Sequence, residues 1–230
     1  NMITKLPETV AANGTFGGNG VKSVVGHPMG AQVGYVAEGI FRSQDDIDNH
    51  AEQTGAGLGR IMWKDLNGDG KITEADQDWI YNPVPAISYG LNVHLEYFGF
   101  DLTLFFQGVQ GVDIISDLKK ETDLWSGLNI SNLNKGTRLL DAWSPTNTDS
   151  DIPALSIADN NNEKRVSSYW VEDGSYLKLK NIQLGYNLPE KALQKLHMER
   201  WRFFVSAQNV FTIHSRSFTG VDPENPNYGY

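Results

Sequence analysis

The stretch "SYGLNVHLEYFGFDLTLFFQG", residues 88–108, decides how this chain folds. Tyr89, Leu91, Val93, Leu95 and Tyr97 alternate with Gly90, Asn92, His94 and Glu96. After Phe98 and Gly99 the alternation restarts: Phe100, Leu102, Leu104 and Phe106 against Asp101, Thr103, Phe105 and Gln107. A period of two marks a strand with one apolar face. If Phe98-Gly99 is a two-residue turn, Tyr97 opposes Phe100, Leu95 opposes Leu102 and Val93 opposes Leu104, so the apolar faces coincide. Phe is a poor residue for such a primed turn, and a longer loop is the alternative. Each segment has about nine residues, the length of a tilted strand that crosses a bilayer. Aromatic residues end each apolar row, at the heights where membrane barrels carry aromatic girdles. A soluble sandwich also satisfies the pattern, with a second sheet over the apolar face, and the hairpin alone leaves both readings open.

The rest of the chain extends the β pattern. Residues 31–41 read as a strand, and Ser43 with Asp46 three residues on reads as the start of a short helix. Pro83 and Pro85 exclude helix and central strand from residues 82–86. Residues 108–170 are polar and loop-like, with Trp125, Trp143, Tyr169 and Trp170 scattered through them. In "SYLKLKNIQLGYNLP", Leu177 and Leu179 share a face, whereas Ile182, Leu184, Tyr186 and Leu188 are shifted by one, a slip that a bulge near Asn181 absorbs. Pro189 opens a short helical turn. A last strand comes after it, with Trp201, Phe203, Val205 and Ala207 on one face and Arg200, Arg202, Ser206 and Gln208 on the other.

Within "WKDLNGDGKITEADQDW", residues 63–79, the spacing is that of a calcium loop. Ca²⁺ takes six to eight oxygen ligands, and an EF-hand loop supplies them from positions 1, 3, 5, 7, 9 and 12. Asp65, Asn67 and Asp69 fill the first three, Gly70 makes the sharp turn, Lys71 offers its carbonyl, Thr73 reaches through a water, and Asp76 closes the loop at 65–76. Asp76 is shorter than the usual Glu, which weakens a bidentate grip. A metal-free turn is the alternative, since Asn, Asp and Gly build turns unaided. The preceding "RIMWK" is strand-like, whereas Thr73 to Asp76 reads as a capping box opening a short helix. The loop is therefore EF-hand-like without its entering helix, and staples an irregular segment.

Composition narrows the function. The chain of 230 residues carries a net charge of −9 and no cysteine. An acidic chain with no basic stripe does not suit nucleic acid, and the lack of Cys removes disulfides, thiol catalysis and zinc-thiolate sites. No apolar run is long enough for a membrane helix, and no signal-peptide pattern is visible. The opening "NMITKLPETV" lacks an initiator methionine and reads as a piece of something longer. The five histidines, His27, His50, His94, His197 and His214, form no metal-ligand spacing, and no Gly-x-Ser-x-Gly elbow is present, so an enzyme is not expected. Residues 1–30 are Gly-rich, but no Gly-Lys-Ser/Thr follows the glycines at the spacing of a phosphate loop.

Several stretches carry a resemblance. "GYVAEGIFRSQDDIDNH", "DLNGDGKIT", "FFQGVQG", "AWSPTNTDSDIPAL", "EDGSYLKLKNIQLGY" and "SAQNVFT" resemble, in that order, the C-terminal part of the SusC/RagA family, TonB-dependent outer-membrane transporters of Bacteroidota. The resemblance implies an all-β fold: residues 1–230 as the C-terminal strands and extracellular loops of a large transmembrane β-barrel, with short helices in the loops. It also implies an importer of glycans or peptides, a SusD-like surface lipoprotein as partner, and energy delivered through TonB to a part not contained in this chain. Trp125, Trp143 and Trp170 are then candidates for ligand contact, with loop-core or interface anchoring as their other reading. A second function stays open beside this one, a soluble calcium-stapled β module whose loop aromatics stack on sugars. Contact of the face bearing Val93 and Leu104 with lipid, or with a second sheet, separates the two.

Overall fold

A computed structural model describes residues 24–123, 136–156 and 158–224. Its frame is an antiparallel sheet of four strands: β5 (Ile87–Tyr97), β6 (Phe100–Gln110), β9 (Tyr176–Asn187) and β10 (Arg202–His214), in the spatial order β5-β6-β9-β10. The hairpin pairs as the alternation requires, Tyr97 with Phe100, Leu95 with Leu102, Val93 with Leu104. Phe98 and Gly99 both have positive φ, 49° and 84°, the geometry of a primed two-residue turn. The Phe98 side chain is exposed, and its ring meets that of Tyr97 edge-on at 4.5 Å. The Asn187 N–H donates to the Gly99 carbonyl at 2.7 Å and ties the turn to β9.

Pairing carries the hairpin's two faces across the whole sheet. One face shows the rows Tyr97–Phe100–Tyr186–Phe203, Leu95–Leu102–Leu184–Val205, Val93–Leu104–Ile182–Ala207 and Leu91–Phe106–Leu179–Phe211. The phase slip in β9 is absorbed where expected: Asn181 pairs with Phe105 and Leu179 with Phe106, leaving Lys180 as the extra residue. Leu91, Leu95, Tyr97, Phe100, Leu184, Phe203, Val205 and Ile213 are all exposed on this face. A sandwich needs a second sheet there, and among the described residues none packs against it. An apolar surface of this extent is incompatible with water and matches the outer band of a membrane barrel. The edge strands β5 and β10 are long and need further partners, since unpaired strand edges are not tolerated in lipid.

The other small strands form a layer at the end of the sheet opposite the short turn. β1 (Gln32–Tyr35) pairs with β4 (Gln77–Tyr81), β2 (Ala37–Ile40) with β3 (Ile61–Trp63), and β7 (Asp113–Ile115) with β8 (Val171–Asp173). The single strand expected over residues 31–41 is thus two strands with different partners, divided at Val36. In α1 (Gln44–Asn49), Ser43 is the expected N-cap: its Oγ accepts from Asp46 N–H at 3.2 Å, and the Asp46 carboxylate accepts from Ser43 N–H at 2.8 Å, which makes a capping box. The helix expected from Thr73 is absent: its N–H and hydroxyl both donate to Asp76, making a closed turn that runs into β4. The polar stretch 108–170 also holds more order than expected, namely β7, α2 (Asp117–Asp123) and a 3₁₀ turn at Thr137–Asp141. The turn after Pro189 forms as α3 (Glu190–Lys195).

The two faces predict opposite responses at adjacent positions. In the complete barrel, Val93→Arg places a guanidinium on the lipid face near mid-membrane, at a cost of about 2–4 kcal/mol, and sharply lowers the yield of inserted protein. Asn92→Arg points to the polar side and leaves assembly near normal. The heat-modifiable folded band on a cold gel measures both, and equal yields would contradict the orientation.

Candidate functional site: the polar wall and its loop layer

The inward face of the sheet is polar by the same alternation. Its rows are Glu96–Asp101–Gly185–Phe204, His94–Thr103–Gln183–Ser206, Asn92–Phe105–Asn181–Gln208 and Gly90–Gln107–Lys178–Thr212. His94 lies within 3.0 Å of both Thr103 Oγ1 and Glu96 Oε1. Arg202 on β10 reaches across β9 to Asp101 on β6, donating through Nε at 2.9 Å and also through Nη2. Gly185 lies beneath that pair, and a Cβ there would collide with Asp101 Oδ2 and Arg202 Nη2. The glycine is what lets the ion pair cross β9. Higher on the wall, the buried Lys178 donates to Asp222 at 2.7 and 2.9 Å and to Glu224 at 2.9 Å, while Lys180 meets Glu224 at 2.5 Å. The segment after β10 is therefore strapped to the bulge of β9. No sequence motif marks this strap, because its partners lie more than forty residues apart.

The loop layer is built around a buried polar knot. Gln53 accepts from Trp63 N–H at 2.8 Å, donates to the Ile61 carbonyl at 2.8 Å and to Asn161 Oδ1 at 2.7 Å. Asn161 also donates to Ile61 at 2.9 Å. Glu163 accepts from Ile61 N–H at 3.0 Å and from Arg60 at 2.9 Å. Burial pushes the Glu163 carboxyl above its ordinary range, although Arg60 and the Ile61 N–H pull against that rise. The outer edge of β3 is thus completed by side chains instead of another strand. Around it Phe41, Ile61 and Trp63 are fully buried, and the Arg165 guanidinium lies 4.4 Å from the Tyr35 ring centre and 5.3 Å from that of Trp63.

The candidate tryptophans separate. Trp143 is 8 % exposed and Trp170 1 %, so both rings serve as packing inside the loop layer, Trp143 against Gly59 and Ala154. As placed, neither ring presents an open face. Trp125 lies outside the described residues.

In the loop at 65–76, the side chains hold the backbone. Asp65 accepts from Gly68 N–H at 2.7 Å and Gly70 N–H at 2.9 Å, Asn67 from Asp69 N–H at 2.8 Å, and Asp69 from Lys71 N–H at 2.9 Å. Fully buried Asp76 accepts from Leu66 at 3.0 Å, Asn67 at 3.4 Å and Thr73 at 2.7 Å. Burial pushes its carboxyl up, but the N–H groups of Thr73, Leu66 and Asn67 together hold it below the usual range. Glu52 pairs with the far side of the loop, donating from N–H to Gly70 and accepting from Ile72. Among the described residues, no three His, Cys, Asp or Glu side chains converge to hold a metal ion. The positions expected to bind calcium are therefore brought into one turn, but Asp76 serves as its clasp, with both oxygens taken by N–H and hydroxyl donors. A cavity of about 390 Å³ opens beside the turn, lined by Glu38, Asn49, His50, Asp65, Gly68 and Gly70.

This architecture has counterparts of known structure. Over 91 % of its length the chain superposes on 21 % of a chain in the RagAB peptide transporter, with a TM-score of 0.71 and 22 % identity. TonB-dependent receptor P3 of Formosa agariphila is 37 % identical over 200 residues, 86 % of this chain and 19 % of that receptor. The chain belongs to the SusC/RagA-like TonB-dependent receptors. The receptor SusC of Bacteroides thetaiotaomicron is 25 % identical over 194 residues, 84 % of this chain and 18 % of SusC. This family member therefore spans about a fifth of the length of the relatives it matches. No protein-family model matches it. In this setting the four-stranded sheet is a section of barrel wall, with the apolar rows outward and the Asp101–Arg202 and Lys178–Asp222 pairs on the inner side.

Gln53→Leu tests the knot. It leaves the Trp63 N–H and one bond to the Ile61 carbonyl without their partner at a buried site, which costs about 1–3 kcal/mol. Hydrogen exchange across β2 and β3 is expected to accelerate while exchange in β6 and β9 stays unchanged.

Proposed function

We propose that the chain forms the C-terminal part of the barrel wall of an outer-membrane importer in a Gram-negative bacterium. The complete protein takes up oligosaccharides, uses energy delivered by TonB to its other parts, and works with a SusD-like surface lipoprotein that docks on the loop layer. The observation that carries this reading is the sheet itself: one continuous apolar face with an aromatic row at one end, and one polar face of bonded ion pairs. Membership of a receptor family supports the coupling to TonB. Peptide is the second substrate class, favoured by the likeness to RagAB, a peptide transporter.

Deleting every TonB protein from the host is expected to abolish uptake by the complete receptor. Uptake that continues at the normal rate would overturn the assignment. Growth of the wild type and a receptor deletion on defined glycans, and separately on peptides, separates the two substrate classes.

We also propose that the turn at 65–76 takes a structural Ca²⁺. Asp65, Asn67 and Asp69 would hold it with the Lys71 carbonyl and, through water, Thr73, and Asp76 would keep the turn closed. The ion would supply rigidity and no chemistry. Calcium is expected to slow hydrogen exchange over residues 63–79 in the wild type, and Asp69→Ala to remove that protection. Identical exchange in calcium and in chelator would end the proposal.

A further inference from the structure

The connector between β9 and β10, residues 188–201, has no part in the polar wall or the loop layer. It lies at the end of the sheet that carries the two-residue turn. In membrane barrels the short turns face the periplasm and the long loops face outward, so α3 is on the periplasmic side. The apolar residues that follow it in the connector are nonetheless uncovered: Leu196, Met198 and Trp201 are all exposed.

Two features point these residues at the membrane. The first is phase. Leu188 comes two positions after the lipid-facing Tyr186, and Trp201 precedes the lipid-facing Phe203 by two, so the connector leaves and re-enters the sheet on its outer face. The Trp201 and Phe203 rings lie 5.1 Å apart, and the Leu188 N–H donates to the Trp201 carbonyl at 3.0 Å, closing the base of the loop. Trp201 therefore continues the aromatic row Tyr97–Phe100–Tyr186–Phe203. The second is local geometry. Helical spacing puts Ala192, Leu193 and Leu196 on one side and Lys191 with Lys195 on another. The helix ends with His197 at φ 53° and a bond from Met198 N–H to the Leu193 carbonyl at 3.0 Å. That closure is a Schellman motif, which brings the side chain after the cap back toward the last turn. Met198 thus joins Leu193 and Leu196, with Lys191, Lys195 and Arg200 exposed around them.

We propose that the 188–201 connector is an interfacial anchor. Leu193, Leu196, Met198 and Trp201 seat in the phospholipid leaflet that faces the periplasm, and Lys191, Lys195 and Arg200 meet its headgroup phosphates. Tryptophan and basic residues flanking an apolar patch are the residues that settle at this depth. The anchor fixes the height of β9 and β10 in the membrane from the side that lacks large loops. This inference rests on the barrel reading above.

The test uses the complete receptor in vesicles of phosphatidylethanolamine and phosphatidylglycerol. These 230 residues hold no cysteine; with any cysteine elsewhere in the complete receptor changed to serine, a bimane label is placed in turn at Leu196→Cys, Met198→Cys and Gln194→Cys, with Val93→Cys and Asn92→Cys as barrel controls. Nitroxide lipid labelled near the headgroup is expected to quench positions 196 and 198 several-fold more than 194, and iodide in the water to do the reverse. Iodide quenching at 196 and 198 equal to that at 194 would overturn the anchor, placing the connector in water. Protection of 196 and 198 from both quenchers would also overturn it, placing them under protein. Quenching by deep lipid probes at 93 but not 92, with none at 196 from either lipid probe, sinks the anchor and leaves the barrel. Absence of lipid quenching at 93 sinks the barrel reading.

Discussion

Inside a bilayer no water is available to bond a free N–H or C=O, so every backbone group must find its partner in the protein. The four long strands meet that demand in register except along the outer edges of β5 and β10, and the rest of the sheet depends on the pairing. Once Val93 opposes Leu104 and Leu104 opposes Ile182, the apolar rows fall on one face and the inner rows on the other. A slip of one residue in any strand would turn its side chains over. The turn at Phe98-Gly99 prevents that slip between β5 and β6, and its bond to Asn187 carries the same register to β9. The bulge at Lys180 corrects a phase error written into β9, and it does so beside the strap that holds the lysines to Asp222 and Glu224.

The loop layer is organised by a different rule. Its strands have three to five residues and cannot stand alone. Polar side chains take over the work of missing neighbours. Gln53 and Asn161 complete the backbone of β3, Glu163 binds both the Ile61 N–H and Arg60, and Asp76 gathers three N–H groups of one turn. Trp63, Trp143 and Trp170 fill the spaces between these bonds. The result is a set of loops tied to one another by buried hydrogen bonds at the end of the wall.

The two regions were legible to different degrees. The hairpin, its register, the β9 bulge and the capped helix at Ser43 could all be read from residues 34–50 and 88–186, because alternation, turn residues and capping are local signals. The loop layer resisted. Residues 31–41 look like one strand, yet Val33 pairs toward Trp79 and Ala37 toward Trp63. Thr73 and Asp76 fit a capping box, and the structure uses the same atoms to shut a turn. A cap and a closed turn differ only in the path of the next few residues, and here those residues are drawn away as β4 to pair with β1.

The sequence by itself determined where the long strands lie, which face of each is apolar, and where the chain turns, since each depends on residues no more than a few positions apart. Tertiary structure alone decided that the apolar face meets no second sheet among the described residues, that Trp143 and Trp170 are buried, and that Gln53 meets Asn161 and Lys178 meets Asp222. The last two contacts join residues 108 and 44 positions apart. Their energy comes from completing hydrogen bonds at buried sites, a demand that exists only after the chain has brought those sites out of water.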